Sequence, residues 1–532
     1  MVQLKTPRKS QALLFLCLFA PSAWMIATIP PLWRDADAYV QLTQDPRVSK
    51  FWGHAPLYCY VAKVPVYLGE QVERLRGRPP VPRTIPSQPA LTDSGIALLI
   101  VAQHLGLSFA ALLFITAVTR FFWMRLLLSL VWASNALFYT FAHCVGSETL
   151  GVILIVWLAA RAVRLVQQKA EPLWTDWYFF SGLLLVCMLT RDLNFGLVAL
   201  LPLAFLIARL LEGRAPFRPY LSGTKPRSSL RNITVATAIG LACVAIAPSV
   251  PENLARKTRL HPHSRLGYIF LWRLHSLSDL PPDTRASLMR KVSERAPSEQ
   301  VRRLIQLYDQ MMSEQSDPIH ATAFGNRAVE IYGGPPHWQE LDAGFKQMAF
   351  TFLWPPTPEL WNVIATDFVT VMALPSTVIS DYLFTTTAYY FEHKEEMPAL
   401  ANLATFRGKA NPATIQALRT DCRYFALWQW LTFPATIAVW LAGLLALGWI
   451  SRRKRVTSSG TIGLAIALLV VGLFQFAVTC VIHDYEPRFS GSMWELLLLS
   501  IFLLVGTLAE LLFVGAAAPE GKVRRAADRA EP

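Results

Sequence analysis

Two aspartates follow the first hydrophobic run of the chain, in Arg34-Asp35-Ala36-Asp37-Ala38-Tyr39, and Trp52-Gly53-His54-Ala55-Pro56-Leu57-Tyr58 comes soon after. Carboxylates at the edge of an apolar helix are expensive neighbours for lipid, so they are usually kept for a task. Other polar groups punctuate later apolar runs: Glu148, Arg191-Asp192, and His483-Asp484-Tyr485-Glu486-Pro487-Arg488. These side chains have complementary chemistry. Carboxylates accept protons or ligate hard cations, and guanidinium groups hold anions. The elements around them must bring such scattered groups to one place.

Composition sets the class of those elements. The chain is 53% hydrophobic and 16% charged, against roughly a quarter charged in ordinary soluble domains. Hydropathy read together with Lys and Arg gives about ten spans. They lie near Ala12–Ile29, Ser94–Val118, Leu126–Phe141, Thr149–Val166, Trp177–Thr190, Phe195–Leu211, Ile233–Val250, Phe425–Ile450, Thr461–Ile482 and Met493–Val514. The net charge of +14 is concentrated in short segments flanking apolar runs. That is the positive-inside pattern, not a nucleic-acid stripe, and no nucleic-acid partner is expected. Lys5, Arg8 and Lys9 precede the first span, which reads as an uncleaved anchor with the N-terminus inside. Arg452-Arg453-Lys454-Arg455 and the basic tail fall on the same side. The seven cysteines are scattered singly, with no CxxC, and define no disulfide framework.

The expected fold is therefore an all-α polytopic membrane protein, N-in and C-in, with a mostly helical domain on its outer face. Residues 1–250 form a seven-span module whose first outer loop, 30–92, carries the acidic pair. Residues 251–424 are too long for a hairpin loop. They carry helical periodicity broken at Pro281-Pro282, Pro335-Pro336 and Pro355-Pro356. Their aromatic-rich part, Phe350–Phe391, is expected along the membrane surface. Residues 425–532 supply three further spans and a basic tail.

No GxGxxG, Walker loop, GxSxG or HExxH is present. His261-Pro262-His263 lacks a third ligand at metal-site spacing and reads as a solvated loop. The topology instead collects Asp35, Asp37, His54, Glu148, Arg191, Asp192 and the 483–488 run at one membrane face, a site-like convergence. Each group has an ordinary alternative. Asp35 and Asp37 can cap an interfacial helix, and Glu148 can complement a helix dipole. Arg191 can pair with Asp192, and Arg488 can snorkel to the interface.

Several motifs follow in order: Asp35-x-x-x-Tyr39 after the first span, His54-Ala55-Pro56-Leu57-Tyr58, Ser147-Glu148-Thr149-Leu150, Leu189-Thr190-Arg191, and Glu486-Pro487-Arg488-Phe489. In this order the chain resembles the GT-C superfamily of integral-membrane glycosyltransferases, which includes protein O-mannosyltransferases and lipid A aminoarabinose transferases. The resemblance covers residues 10–250 and, more weakly, 460–515; it does not cover the large outer domain.

The resemblance implies transfer of a sugar from a polyprenyl-phosphate-linked donor to a glycan, lipid or protein acceptor. Asp35 or Asp37 would take the proton of the acceptor hydroxyl as general base. His54, Arg191, Arg256 and Arg488 would face the departing phosphate, with Tyr58, Glu148, Tyr485 and Glu486 completing the binding residues. Alternatively, Asp35 and Asp37 would hold a divalent cation, Mg²⁺ or Mn²⁺, on that phosphate. The expected location is the bacterial inner (plasma) membrane, with the active face periplasmic or extracellular. Two other classes compete: a transporter or flippase of a lipid-linked substrate, and a non-catalytic envelope-assembly protein. Transporters place charges near the midplane and often show repeated halves. On hydropathy alone this chain shows neither a duplication nor buried mid-span charges.

Overall fold

The computed structural model describes residues 8–33, 57–78, 90–168, 171–214, 230–257, 266–314, 321–332, 338–393, 403, 412–423, 425, 432–454, 458–483 and 486–514. These are almost wholly helical. Eight helices are long and apolar enough to cross a membrane: Lys9–Thr28, Asp93–Val118, Ser147–Gln167, Leu193–Glu212, Leu230–Val250, Phe433–Lys454, Ser459–Ile482 and Pro487–Phe513. This is the build of an all-α, multi-pass membrane protein, because lipid requires each spanning segment to satisfy its own backbone.

In chain order the membrane module comprises α1 (Arg8–Thr28), β1 (Leu32–Trp33), α2 (Leu57–Leu75), α3 (Asp93–Val118), α4 (Phe122–Ala133), α5 (Ala136–Ala142), β2 (Cys144–Val145), α6 (Ser147–Gln167), α7 (Trp174–Thr190), α8 (Leu200–Arg214) and α9 (Leu230–Lys257). A 3₁₀ helix, Asp192–Ala199, leads into α8.

Two of the ten expected spans take other forms. The expected third is no single helix: α4 and α5 are bent by 66°. Asn135 starts α5 by accepting the Leu137 N–H on its side chain, as an N-cap does. Ser134-Asn135 is a short polar interruption here, too short to divide the run when hydropathy is averaged over the length of a span. The expected fifth span is α7, a helix of 17 residues. The spanning helices also bury two polar side chains: His104 in the middle of α3, and Glu495 one turn into the last spanning helix.

Beyond α9 come α10 (Leu266–His275), α11 (Pro282–Glu294), α12 (Glu299–Glu314), α13 (Ala321–Ala328), α14 (Trp338–Leu353), α15 (Pro358–Ala373), α16 (Thr377–Glu392) and α17 (Pro412–Arg423). The C-terminal helices are α18 (Phe433–Lys454), α19 (Ser459–Ile482) and α20 (Gly491–Val514), with a 3₁₀ turn, Pro487–Ser490, before α20.

Contacts between helix ends define two ends of the bundle. At one, called lower, Gln167 of α6 meets Thr461 of α19, Ser459 donates to Glu212 of α8, and Glu510 of α20 meets the end of α3. At the other, called upper, the end of α1 meets β2, and Arg191 after α7 meets Glu148 at the start of α6. Helix α16, within the aromatic-rich stretch, is buried along Ile379, Ser380, Leu383 and Thr387. It packs onto α5, β1 and the 3₁₀ turn before α20 at the upper end.

Candidate functional site

The site begins where α1 ends. Its exit strand pairs in parallel with β2, Leu32 opposite Cys144 and Trp33 opposite Val145. The Trp33 N–H donates to the Thr387 hydroxyl of α16 at 2.9 Å. The two residues before Arg34-Asp35 are thus held on both sides, by β2 and by α16.

A buried hydrogen-bond chain sets this anchor. His143 Nε2 lies 2.9 Å from the Ile29 carbonyl, His143 Nδ1 lies 2.9 Å from His104 Nε2, and His104 Nδ1 lies 2.9 Å from the Ser22 hydroxyl. A carbonyl only accepts, so in neutral rings every proton points the same way: Ser22 to His104, His104 to His143, His143 to Ile29. The chain ties the last turn of α1 to the middle of α3 and to the residue before β2. Gln103 adds to the clamp, its amide donating to the Ala142 and Cys144 carbonyls at 3.0 Å each.

Strand β2 runs through Gly146 into α6. The Gly146 N–H donates to the buried Tyr58 hydroxyl at 2.9 Å. Burial raises the Tyr58 pKa well above the usual phenol value, the strongest cause, and the neighbouring Cys144 and Glu148 push the same way. Tyr58 therefore stays protonated and holds the entry to α6. Glu148, in the first turn of α6, is 3% exposed, and its carboxylate meets the positive end of that helix. Arg191 caps α7 and brings its guanidinium to 3.7 Å from Glu148 Oε1. Gly151 gives it room: a Cβ there would sit 3.1 Å from Arg191 Cδ. Glu495, one turn into α20, is also 3% exposed.

A second pair sits before α20. Arg488 Nε lies 2.5 Å from Glu486 Oε2, and the Tyr382 hydroxyl of α16 donates to that same oxygen at 3.0 Å. The Arg488 guanidinium also lies over the Phe489 ring, 4.9 Å from its centroid. The segment is gripped from α10 as well. Trp272 stacks on His483 at 5.9 Å, and Arg273 donates to the Cys480 and His483 carbonyls at 3.0 Å each. Arg273 is fully buried and also binds Asp367 of α15 at 2.5 Å. One guanidinium therefore caps the end of α19 and joins it to two helices of the large helical region.

Of the sequence-expected residues, Tyr58, Glu148 and Arg191 come together around the start of α6, and Glu486 and Arg488 form a second pair before α20. Arg256 falls in the last turn of α9, with no side-chain placement described. Asp35, Asp37, His54, Tyr485 and the His261/His263 loop lie outside the described residues, as does the Asp192 side chain. Among the described residues no three His, Cys, Asp or Glu side chains converge to hold a metal ion.

Sequence reading passed over Glu495, Tyr382, Arg273 with Asp367, and the His104–His143 chain. Glu495 carried a signal, as a lone carboxylate in Met493-Trp494-Glu495-Leu496-Leu497. The others have no local signature, because their partners are remote in sequence.

No protein-family model, no curated protein and no solved structure matches the chain.

Proposed function

We propose that this protein is a membrane glycosyltransferase that moves a sugar from a polyprenyl-phosphate-linked donor to an acceptor hydroxyl at the upper end of the bundle, on the extracytoplasmic side. The acceptor oxygen attacks the anomeric carbon while the bond from that carbon to the phosphate oxygen breaks. The hydroxyl proton passes to Asp35 or Asp37, and the bonding pair leaves on the phosphate. Arg488, oriented by Glu486, and Arg191, oriented by Glu148, supply positive charge for the phosphate. A divalent cation on the aspartate pair is the alternative source of that charge.

One observation carries this reading: the pairing of β1 with β2. It holds Trp33 beside Val145, three residues before Glu148. In the sequence β1 is followed by Asp35 and Asp37, and β2 by Glu148, so the segments leading to these carboxylates leave from adjacent strands.

The test is transfer from a panel of polyprenyl-phosphate sugars by the full chain in vesicles, with Asp35→Asn and Asp37→Asn made separately. Loss of transfer in one variant, with unfolding unchanged, assigns the base. Loss in both, together with loss in wild type on chelation and recovery with Mg²⁺ or Mn²⁺, assigns a cation pair. Full activity in both variants refutes the proposal.

A second reading, translocation of a lipid-linked substrate without transfer, is favoured by one feature: Glu495 is buried within a spanning helix, as in ion-coupled carriers. Translocation of labelled lipid in proteoliposomes, lost in Glu495→Gln and with no transfer product, would select it.

A further inference from the structure

Helix α2 is not among the helices apolar enough to span a membrane, and by sequence it falls within a polar outer loop. Its two faces are nevertheless built the opposite way from a helix lying on a protein in water. The exposed side carries Tyr60, Val61, Val64, Tyr67 and Leu68, between 40% and 60% exposed. Steps of three and four residues put them on one stripe. The side turned to the protein carries Tyr58, Ala62, Val66 and Gly69 together with two carboxylates, Glu70 and Glu73, each under 8% exposed.

Those carboxylates are committed inward. Glu70 accepts from Arg74 at 2.7 Å and from the Ala90 N–H at 3.2 Å. Glu73 accepts from the Ser94 hydroxyl and pairs with Arg78 at 2.8 Å. The two carboxylates face protein and the apolar stripe faces away. Water would favour the reverse arrangement; an apolar surrounding favours this one.

Two contacts locate the helix. Its start is tied to the entry of α6 through Tyr58 and Gly146. Its last turns are pressed against the first turn of α3, where a Cβ on Gly69 would come 2.1 Å from Gly95 Cα. Both α3 and α6 begin at the upper end of the bundle. Spanning helix α3, on which it packs, also leaves Leu98, Leu105 and Phe109 exposed. Arg74, Arg76 and Arg78 follow at its C-terminal end, more than half exposed, as suits lipid phosphates. Tyr60 and Tyr67 are residue types enriched where acyl chains meet headgroups.

We propose that α2 is a non-spanning membrane helix, with the Tyr60–Leu68 stripe among the acyl chains of the upper leaflet and Arg74–Arg78 at its headgroups. Its purchase on lipid sets the depth of Tyr58, and through Gly146 that of the start of α6. The inference is independent of which reaction occurs at the site.

The test places single cysteines in the full chain at Val64, Leu68, Gln71 and Arg76. Each variant is spin-labelled and reconstituted in phosphatidylcholine–phosphatidylglycerol vesicles, with wild type labelled in parallel to subtract the native cysteines. Collision rates are then measured with oxygen, which concentrates in acyl chains, and with a water-soluble nickel chelate. Val64→Cys and Leu68→Cys are expected to favour oxygen several-fold more than Arg76→Cys, with Gln71→Cys between them. Variants whose unfolding midpoint departs from wild type are replaced by Tyr60→Cys and Val61→Cys. Preference for the nickel chelate at the stripe would overturn the proposal in favour of a water-facing helix. Protection from both reagents with dipolar broadening would overturn it in favour of contact with a second copy.

Discussion

The two ends of the helical bundle treat charge differently. At the lower end the cations cap helix termini or pair at the surface. Lys454 donates to the carbonyls at the end of α20, and Arg125 donates to the Thr119 and Thr116 carbonyls at the end of α3. Arg231 and Glu171 pair with about half of each side chain exposed. Capping and membrane orientation account for all of this. At the upper end buried or half-buried cations are paired with carboxylates: Glu148 with Arg191, Glu486 with Arg488, and Arg273 with Asp367. Burying an ion pair rarely stabilises a fold more than apolar packing would. That contrast is why the proposed chemistry is sought at the upper end.

The largest expected effect comes from Arg273→Ala. It removes a fully buried guanidinium that serves Asp367 and two carbonyls, and should cost about 3–5 kcal/mol of unfolding free energy, read as a lowered midpoint in detergent. A loss as small as that of a surface pair would erase the distinction between the ends. Next comes Arg191→Ala, which leaves Glu148 without its cation, at about 1–3 kcal/mol. Adding Glu148→Gln should recover part of that loss, and a double-mutant cycle with no coupling would show that the two groups do not interact.

Smaller is the pH response of Glu73 at the upper end of the non-spanning α2. Its pKa is held below the usual 4.5, first by the Ser94 hydrogen bond and then by Arg78 and Arg76, against the opposing effect of burial. The folded value is depressed, so the contribution to stability is complete above about 4.5 and is lost as pH falls through the lowered folded value. The gap between wild type and Glu73→Gln should be constant near neutrality and close in acid; a gap that widened in acid would reverse the assignment. The smallest effect should be Arg231→Ala at the lower end, about 0–1 kcal/mol and diminished by salt.

Legibility in the sequence followed the same division. The stretches Thr149–Val166 and Thr461–Ile482 read correctly as spans because each is an apolar run closed by its own local charges. The break at Ser134-Asn135 did not read, since two polar residues are too few to divide the run when hydropathy is averaged over a span, and only the Asn135 cap reveals the bend. Helix α2 did not read as a membrane helix because Glu70, Glu73 and Arg74 dilute its hydropathy, and which face they occupy is decided by Gly95 and Ser94 of another helix. In the candidate site, Glu148, Arg191, Glu486 and Arg488 were legible as polar residues at span ends. Their pairings were not. Glu495 was hidden within an apolar run.

The sequence by itself determined which long segments are apolar enough to cross a membrane, because bilayer partitioning acts on each helix through its own length and composition. Only the tertiary structure decided that Arg191 faces Glu148, that Tyr382 reaches Glu486, and that β1 lies against β2. Those outcomes depend on how helices pack side by side. Side-chain hydrogen bonds and ion pairs act over a few ångströms between residues far apart in the chain, and no local pattern encodes such a distance.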